Sequence, residues 1–295
     1  MASAALKFWK YHGIGNDFVL VDARDLESVD WPALSTQMCD RHFGVGADGL
    51  LLLRPSNVAS YAMGMYNPDG SEAQMCGNGI RGFAKHLVDN ALVSGDQMTV
   101  ETGAGVLGLR LHNDRNGTTD VTVGMGKPTT AGRLIPVDSD RDPVLQETIE
   151  GDFGSLSVTC VSMGNPHAVN FVEHDPEDYD LVGIGPRVEH HPFFPERVNY
   201  EVAQVLDRNR IKMRVWERGA GLTLACGTGA CATLVAARLE GRVDPEATIG
   251  LPGGDLTVHW DSDQVWMTGP AELVFVGEWS SPIPTPEVVG SAVES

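Results

Sequence analysis

Two cysteines in this chain each stand directly before a Gly-x-Gly, Cys76 in "EAQMCGNGIRG" (Glu72–Gly82) and Cys226 in "TLACGTGACAT" (Thr223–Thr233). In both places the following residues have apolar positions at helical spacing, so each cysteine falls at the entrance to a helix. The positive end of a helix favours a thiolate, and glycines let a bound anion approach the free backbone N–H groups. Two such turns facing across a cleft would hold one carboxylate between two helix ends, with a sulfur on each side of the adjacent carbon. That geometry suits inversion of a stereocentre by two bases. One thiolate takes the proton from one face while the opposite thiol delivers a proton to the other. The reverse reaction exchanges the roles, so both sulfurs are required.

The elements that must position these cysteines occur twice. Cys76 and Cys226 lie 150 positions apart, and the same shift places "MYNPDGSEAQMCGNG" (Met65–Gly79) on "VWERGAGLTLACGTG" (Val215–Gly229), so that Tyr66 meets Trp216 and Asn67 meets Glu217. "GNDFVLV" from Gly15 resembles "GNPHAVNFV" from Gly164, one residue off that shift, and "ETGAGVLGLRL" from Glu101 resembles "LPGGDLTVHW" from Leu251, back on it. Similarities in one order predict two copies of one unit. Each copy reads as several short strands, such as "FVLVDA", "LLLLR" and "DVTVGMG" in the first, with one prominent helix after the cysteine. The fold class expected is α+β, two like-folded halves packed about a pseudo-twofold axis, with the chemistry in the cleft between them. The expected division is 1–127, completed by 269–280, then 128–268, and a mobile Pro- and Ser-rich tail over 281–295. "PVDSDRDPVLQETIEGDFG" from Pro136 reads as a surface loop and hairpin.

Bulk properties exclude several classes. A formal charge of -19 over 295 residues disfavours nucleic acid and anionic membrane surfaces, which need clustered Lys and Arg. No stretch approaches the length of a membrane span and no secretory leader is evident, so the chain reads as cytosolic. Five cysteines in a chain this long make neither a disulfide framework nor a Cys-x-x-Cys zinc site, and Cys39, Cys160 and Cys231 read as packing. "GVGADG" (Gly44–Gly49) precedes a strand instead of opening a helix and so lacks the context of a dinucleotide site. "DSDRDP" has Pro143 where a calcium loop needs Gly. "NGT" at Asn116 is a sequon without a secretory signal, and His190 with His191 lacks companion ligands.

Taken in order, "YHGIGNDFVLVD", "GVGADGLLLL", "YNPDGSEAQMCGNGIRG", "SMGNPHAVNFV", "FPERVN", "WERGAGLTLACGTGACA" and "LPGGDLTV" resemble the successive motifs of the diaminopimelate epimerases, from about Tyr11 to Gly269. The resemblance implies two halves that are each a mostly antiparallel sheet or barrel around a central helix. It also implies an enzyme without cofactor or metal that interconverts LL- and meso-diaminopimelate, in some members as a homodimer. By the same resemblance Cys76 and Cys226 are the acid/base pair, with His167 and Glu217 as polar partners that assist proton movement. Asn16, Asn67, Asn165, Asn199, Glu217 and Arg218 match its substrate contacts, and the backbone around Gly77, Asn78, Gly227 and Thr228 would receive the reacting carboxylate. Arg218 can form a forked pair with a distal carboxylate, and Asn side chains offer both donors and acceptors.

Two positions depart from the pattern. Some members carry Gln where this chain has Gly49, and many carry Glu where it has Leu222. Two other readings stand beside the epimerase. One is a racemase or epimerase of the same fold acting on another amino acid or hydroxyproline. The other is a thiol redox or ligand-binding protein whose cysteines cycle through a disulfide, in which case the reduced state alone would not be the active one.

Overall fold

The computed structural model describes residues 5–114, 117–261 and 263–286. The Asn116 sequon and positions 287–295 of the expected tail lie outside the described residues. The first half runs β1 (Leu6–Gly13), β2 (Asn16–Asp22), α1 (Trp31–Cys39), β3 (Gly49–Arg54), β4 (Tyr61–Tyr66), α2 (Gly77–Asp89), β5 (Gln97–Thr102), β6 (Gly105–Asp114) and β7 (Gly117–Gly126). Then come β8 (Glu147–Gly151), β9 (Gly154–Ser162), β10 (Pro166–Phe171), α3 (Leu181–Glu189), β11 (Asn199–Asp207) and β12 (Arg210–Glu217). The chain continues through β13 (Gly221–Thr223), α4 (Gly227–Leu239), β14 (Glu246–Leu251), β15 (Gly254–Trp260), β16 (Val265–Pro270) and β17 (Glu272–Trp279).

The duplication holds pairing by pairing. In the first half β1–β2 is antiparallel, β2–β3 parallel, β3–β4 antiparallel, β4–β5 parallel, and β5–β6 and β6–β7 antiparallel. The series β9, β10, β11, β12, β14, β15, β16 repeats the same senses in the same order. Each parallel pair needs a crossover, and each crossover is a helix. α1 and α3 make the first of each half, and α2 and α4 the second. The equivalent strands β7 and β16 pair antiparallel and join the halves, while β17 returns to pair with β1.

The apolar patterns follow from this layering. "LLLLR" in β3 is buried on both faces, as a strand covered on two sides must be. Leu51 and Leu53 turn to the cluster that holds Ile80 and Phe83 of α2, whereas Leu50 and Leu52 turn to Leu34 and Met38 of α1. The sequence expectation of one prominent helix per half missed α1 and α3. Gly183, Gly185 and Pro186 argue against a helix in isolation. In the fold Asp180 caps α3 by accepting from Gly183 N at 3.0 Å, and the Trp216 ring lies against Gly185, where a Cβ would be 2.6 Å from Trp216 Cγ. Tertiary packing therefore overrides propensity there. The stretch from Pro136 does form a hairpin, β8–β9, but it is not merely surface, because Val137 and Val144 are buried with Ile149 in a second core cluster.

His86, near the end of α2, is buried against Trp9, with ring centroids 4.5 Å apart, and its Nδ1 is 3.3 Å from Tyr11 Oη. Burial holds its imidazole down to about 4, so it is neutral in the folded protein over a range where the unfolded chain binds a proton. Stability from this group is complete above the ordinary histidine value and is lost as pH falls toward 4, by up to about 3 kcal/mol. Urea unfolding at pH 7 and pH 5 checks this. The wild type loses stability between the two, and His86→Asn loses distinctly less.

Candidate active site

Cys76 and Cys226 occupy the N-cap positions of α2 and α4, both with extended backbone (φ -139°, ψ 121° and φ -131°, ψ 107°). At that position the side chain faces the free amides of the first turn. Cys226 Sγ accepts from Gly229 N at 3.4 Å, and Cys76 faces the amides of Asn78 and Gly79. The two helix ends converge on Met267 of β16. A Cβ on Gly77 would lie 3.1 Å from Met267 Cε, and one on Gly227 would lie 3.1 Å from its Sδ. A side chain at the first glycine of either motif would therefore press on Met267, where the helices close on the axis between the halves.

Both cysteines line one cleft of about 1010 Å³ between the halves. From the first half Asn16, Asn67, Gly77 and Asn78 also line it, and from the second Asn165, Glu217, Arg218, Gly227 and Thr228. His167 and Asn199 do not. His167 is wholly buried, with Nε2 3.0 Å from Asn165 Oδ1, so it reaches the cleft only through that amide. Asn199 is a strut, donating to Pro166 O at 2.8 Å and accepting from Arg218 N at 2.9 Å, and it fixes the backbone that carries Arg218.

A polar chain backs Cys76. Asn78 Nδ2 donates to Asn16 Oδ1 at 3.0 Å, the Cys76 thiol is 3.7 Å from the same oxygen, and Asn16 Nδ2 donates to Asp48 at 2.6 Å. Asn78 also donates to Ala225 O, beside Cys226 in the other half, and accepts from Arg81 at 3.0 Å. Arg81 is fully buried, and burial lowers its guanidinium to about 10. Sequence reasoning missed Arg81, Asp48 and Arg41. Asp48 was visible only inside the misleading "GVGADG", and Arg41, which lines the cleft and bonds Asp48 and Asp17 at 2.7 Å, had no motif to mark it.

The departures have physical readings. A side chain at Gly49 would press on Tyr66 O at 3.1 Å and Met65 Cε at 3.3 Å, so local packing admits glycine. Leu222 lines the cleft as an exposed apolar side chain, and the carboxylates acting on Cys226 are Glu217 and Glu201.

Electrostatics modify the expectation that helix ends favour thiolates. Burial raises the Cys76 thiol, and the amides of Gly79 and Asn78 only partly offset it. Burial, with Glu217 and Glu201 adding to it, raises Cys226 well above the ordinary thiol range against the pull of Thr228 and Gly229. Burial likewise raises the Glu217 carboxyl, although Thr223 Oγ1 donates to it at 2.5 Å. In the open cleft desolvation exceeds the helix-end effect. Iodoacetamide at pH 8 is therefore expected to modify Cys76 before Cys226 and to spare buried Cys160 and Cys231. Peptide mass spectrometry over time reads this order, and earlier labelling of Cys226 contradicts it.

The fold and cleft match known proteins. A sequence model described as "Diaminopimelate epimerase" matches residues 8–131 and 159–274. The chain is 48% identical over 276 residues to the diaminopimelate epimerase of Acetivibrio thermocellus, covering 92% of this chain and 98% of that one. It is 46% identical to the chloroplastic diaminopimelate epimerase of rice, covering 92% of this chain and 80% of that one. Among solved structures, a hydroxyproline epimerase from Agrobacterium vitis aligns with a TM-score of 0.69 at 15% identity, covering 94% of this chain and 92% of that chain. A phenazine biosynthesis protein of Bacillus anthracis aligns at 0.67 with 19% identity, covering 94% and 99%. At such identities these two likenesses concern the fold alone.

Proposed function

This chain belongs to the diaminopimelate epimerase family, and we propose that it interconverts LL- and meso-diaminopimelate by exchanging one α-proton between Cys76 and Cys226. The observation that carries the mechanism is the placement of two thiols at the N-caps of equivalent helices, lining one cleft. The reacting carboxylate lies against the free N–H groups around Gly77 and Asn78 on one side and Gly227 and Thr228 on the other. One sulfur, as thiolate, takes the α-proton. The electron pair left on the α-carbon delocalises into the carboxylate facing the two helix ends, and the other thiol gives its proton to the opposite face. The product leaves with thiol and thiolate exchanged, which is the state the reverse reaction needs. Glu217 acts electrostatically on Cys226 and lines the same cleft, so it is placed to respond to the change of charge there. Arg218 and Asn67 at the cleft, with Asn199 holding the Arg218 backbone, suit a distal amino-acid head. The reaction belongs to lysine and peptidoglycan precursor synthesis.

Finer readings accompany this one. The pairing of β17 with β1 supports assigning 269–280 to the first half, with 1–127, and 128–268 to the second. Among the described residues no helix is long and apolar enough to cross a membrane. Five free thiols support a cytosolic setting. A homodimer is supported by β17, which exposes Leu273, Val274, Phe275 and Val276 in succession on a strand paired only with β1 among the described residues. Light scattering of the wild type should give about twice the 31.7 kDa chain mass, and Phe275→Glu the single mass. A wild type at the single mass removes the dimer.

Proton NMR in deuterium oxide with reductant tests the reaction. LL-diaminopimelate should take up deuterium at one α-carbon as the meso form appears, with no exchange into proline. Cys76→Ala and Cys226→Ala should each lose at least about a thousandfold in turnover. Near-normal turnover in either variant sinks the two-thiol mechanism. Exchange into proline alone moves the chain to the other racemase reading, and activity that needs the oxidised protein moves it to the redox one.

A further inference from the structure

The two halves share a backbone and differ in one buried pair behind each cysteine. In the first half Phe18 lies opposite Gly49 across β2–β3, and in the second His167 lies opposite Asn199 across β10–β11. That register makes Phe18 the equivalent of His167 and, two residues beyond Gly49 and Asn199, Leu51 the equivalent of Glu201. Behind Cys76, a Cβ on Gly79 would meet Leu51 and Phe18 at 3.3 and 3.5 Å. Behind Cys226, a Cβ on the matching Gly229 would meet Glu201 Oε1 at 2.9 Å. The fold is therefore satisfied by an apolar pair at this site, and the second half has a charged one.

Glu201 and His167 are both fully buried, with Oε1 2.6 Å from Nδ1, and Glu201 Oε2 has no hydrogen-bond partner. A carboxylate so placed requires compensating charge. It lies against the first turn of α4, whose free N–H end supplies part. Both nitrogens of His167 face oxygen, Glu201 on one side and Asn165 Oδ1 on the other, so a ring that donates to both carries two protons. Asn165 Nδ2 then donates to Thr228 Oγ1 at 3.3 Å, and that hydroxyl is 3.6 Å from Cys226 Sγ. The other ionisable groups facing the pair are Glu217 on β12, Cys226 at α4 and Cys160 on β9, none of them cationic.

We propose that Glu201 is a positioning residue. Its carboxylate keeps His167 as an imidazolium, and the imidazolium fixes the Asn165 amide with its N–H groups turned to Thr228 and the carboxylate cradle beside Cys226. With a neutral ring and Nδ1–H still directed at residue 201, the Nε2 lone pair would oppose Asn165 Oδ1. The amide would then turn over and present oxygen to the substrate carboxylate. This inference rests on the epimerase reading of the cleft.

The test uses two variants of the full chain. Glu201→Gln keeps shape and an acceptor for Nδ1–H but removes the charge. His167→Phe with Glu201→Leu installs the pair already packed at positions 18 and 51, so it should fold with a melting temperature at or above that of the wild type. Glu201→Gln should raise KM for diaminopimelate about tenfold or more while kcat changes less. Nitrogen NMR of His167, assigned by its absence from the double variant, should show the doubly protonated ring in the wild type and its loss in Glu201→Gln at the same pH. The double variant should lose activity at least as severely while remaining folded. Wild-type kinetics in the double variant, or an unchanged KM and His167 spectrum in Glu201→Gln, overturns the proposal. The NMR readout needs no turnover, so a wild type that fails to act on diaminopimelate but loses the imidazolium in Glu201→Gln counts against the substrate and for the pair.

Discussion

Everything in this molecule is arranged around two helix N-termini that must end at the same point. An N-terminus left with free N–H groups is costly unless it meets water, a cap or an anion. Here two of them close on Met267 from opposite halves, with a cysteine as each cap. The antiparallel pairing of β7 with β16 fixes that meeting, because it joins equivalent strands across the axis between the halves. The glycines that follow the cysteines are set by this approach, and so is the span from Asn78 to Ala225 O.

The same backbone twice does not mean the same chemistry twice. Residues on the repeat shift have diverged where they touch the cysteines. Arg81, a buried cation, stands where the second half has buried Cys231. Asn67 stands opposite Glu217 in the alignment, and the apolar pair Phe18 and Leu51 opposite His167 and Glu201. Glu217 acts on both thiols, but Cys76 also has the buried positive charge of Arg81 in its surroundings, whereas Cys226 has a second carboxylate, Glu201. In the proposed mechanism each sulfur alternates between thiol and thiolate, so both must work in these different surroundings.

Burial and helix polarity oppose each other at both thiols. The sequence places the cysteines where backbone amides favour the thiolate, and the fold then withdraws both from water, which favours the thiol. Burial is the larger effect in the open cleft. The opposition is useful chemistry. A thiolate that is poorly solvated is a stronger base toward a carbon acid than one already stabilised by water.

The sequence by itself determined the duplication, the two helices behind the cysteines, and most of the cleft's lining, because these features are carried by short contiguous motifs. "MCGNG" and "ACGTG" need nothing distant to be read as helix entrances. The tertiary structure alone decided which polar residues touch the cleft and which stand behind it. His167 and Asn165 are two positions apart in one motif, yet one is sealed and the other lines the cleft, because Asn165 sits in the bend before β10 whereas His167 lies inside that strand, paired with β9 on one side and β11 on the other. Glu201 lies in a strand whose neighbours are apolar, and no local pattern marks its contact with a histidine 34 positions earlier. Helices α1 and α3 were hidden for the same reason. The α3 sequence is a weak helix former, α1 is short with its start marked only by Asp30 and Pro32, and the need to cross between parallel strands, with Trp216 packed against Gly185 in α3, is a constraint only the folded chain imposes.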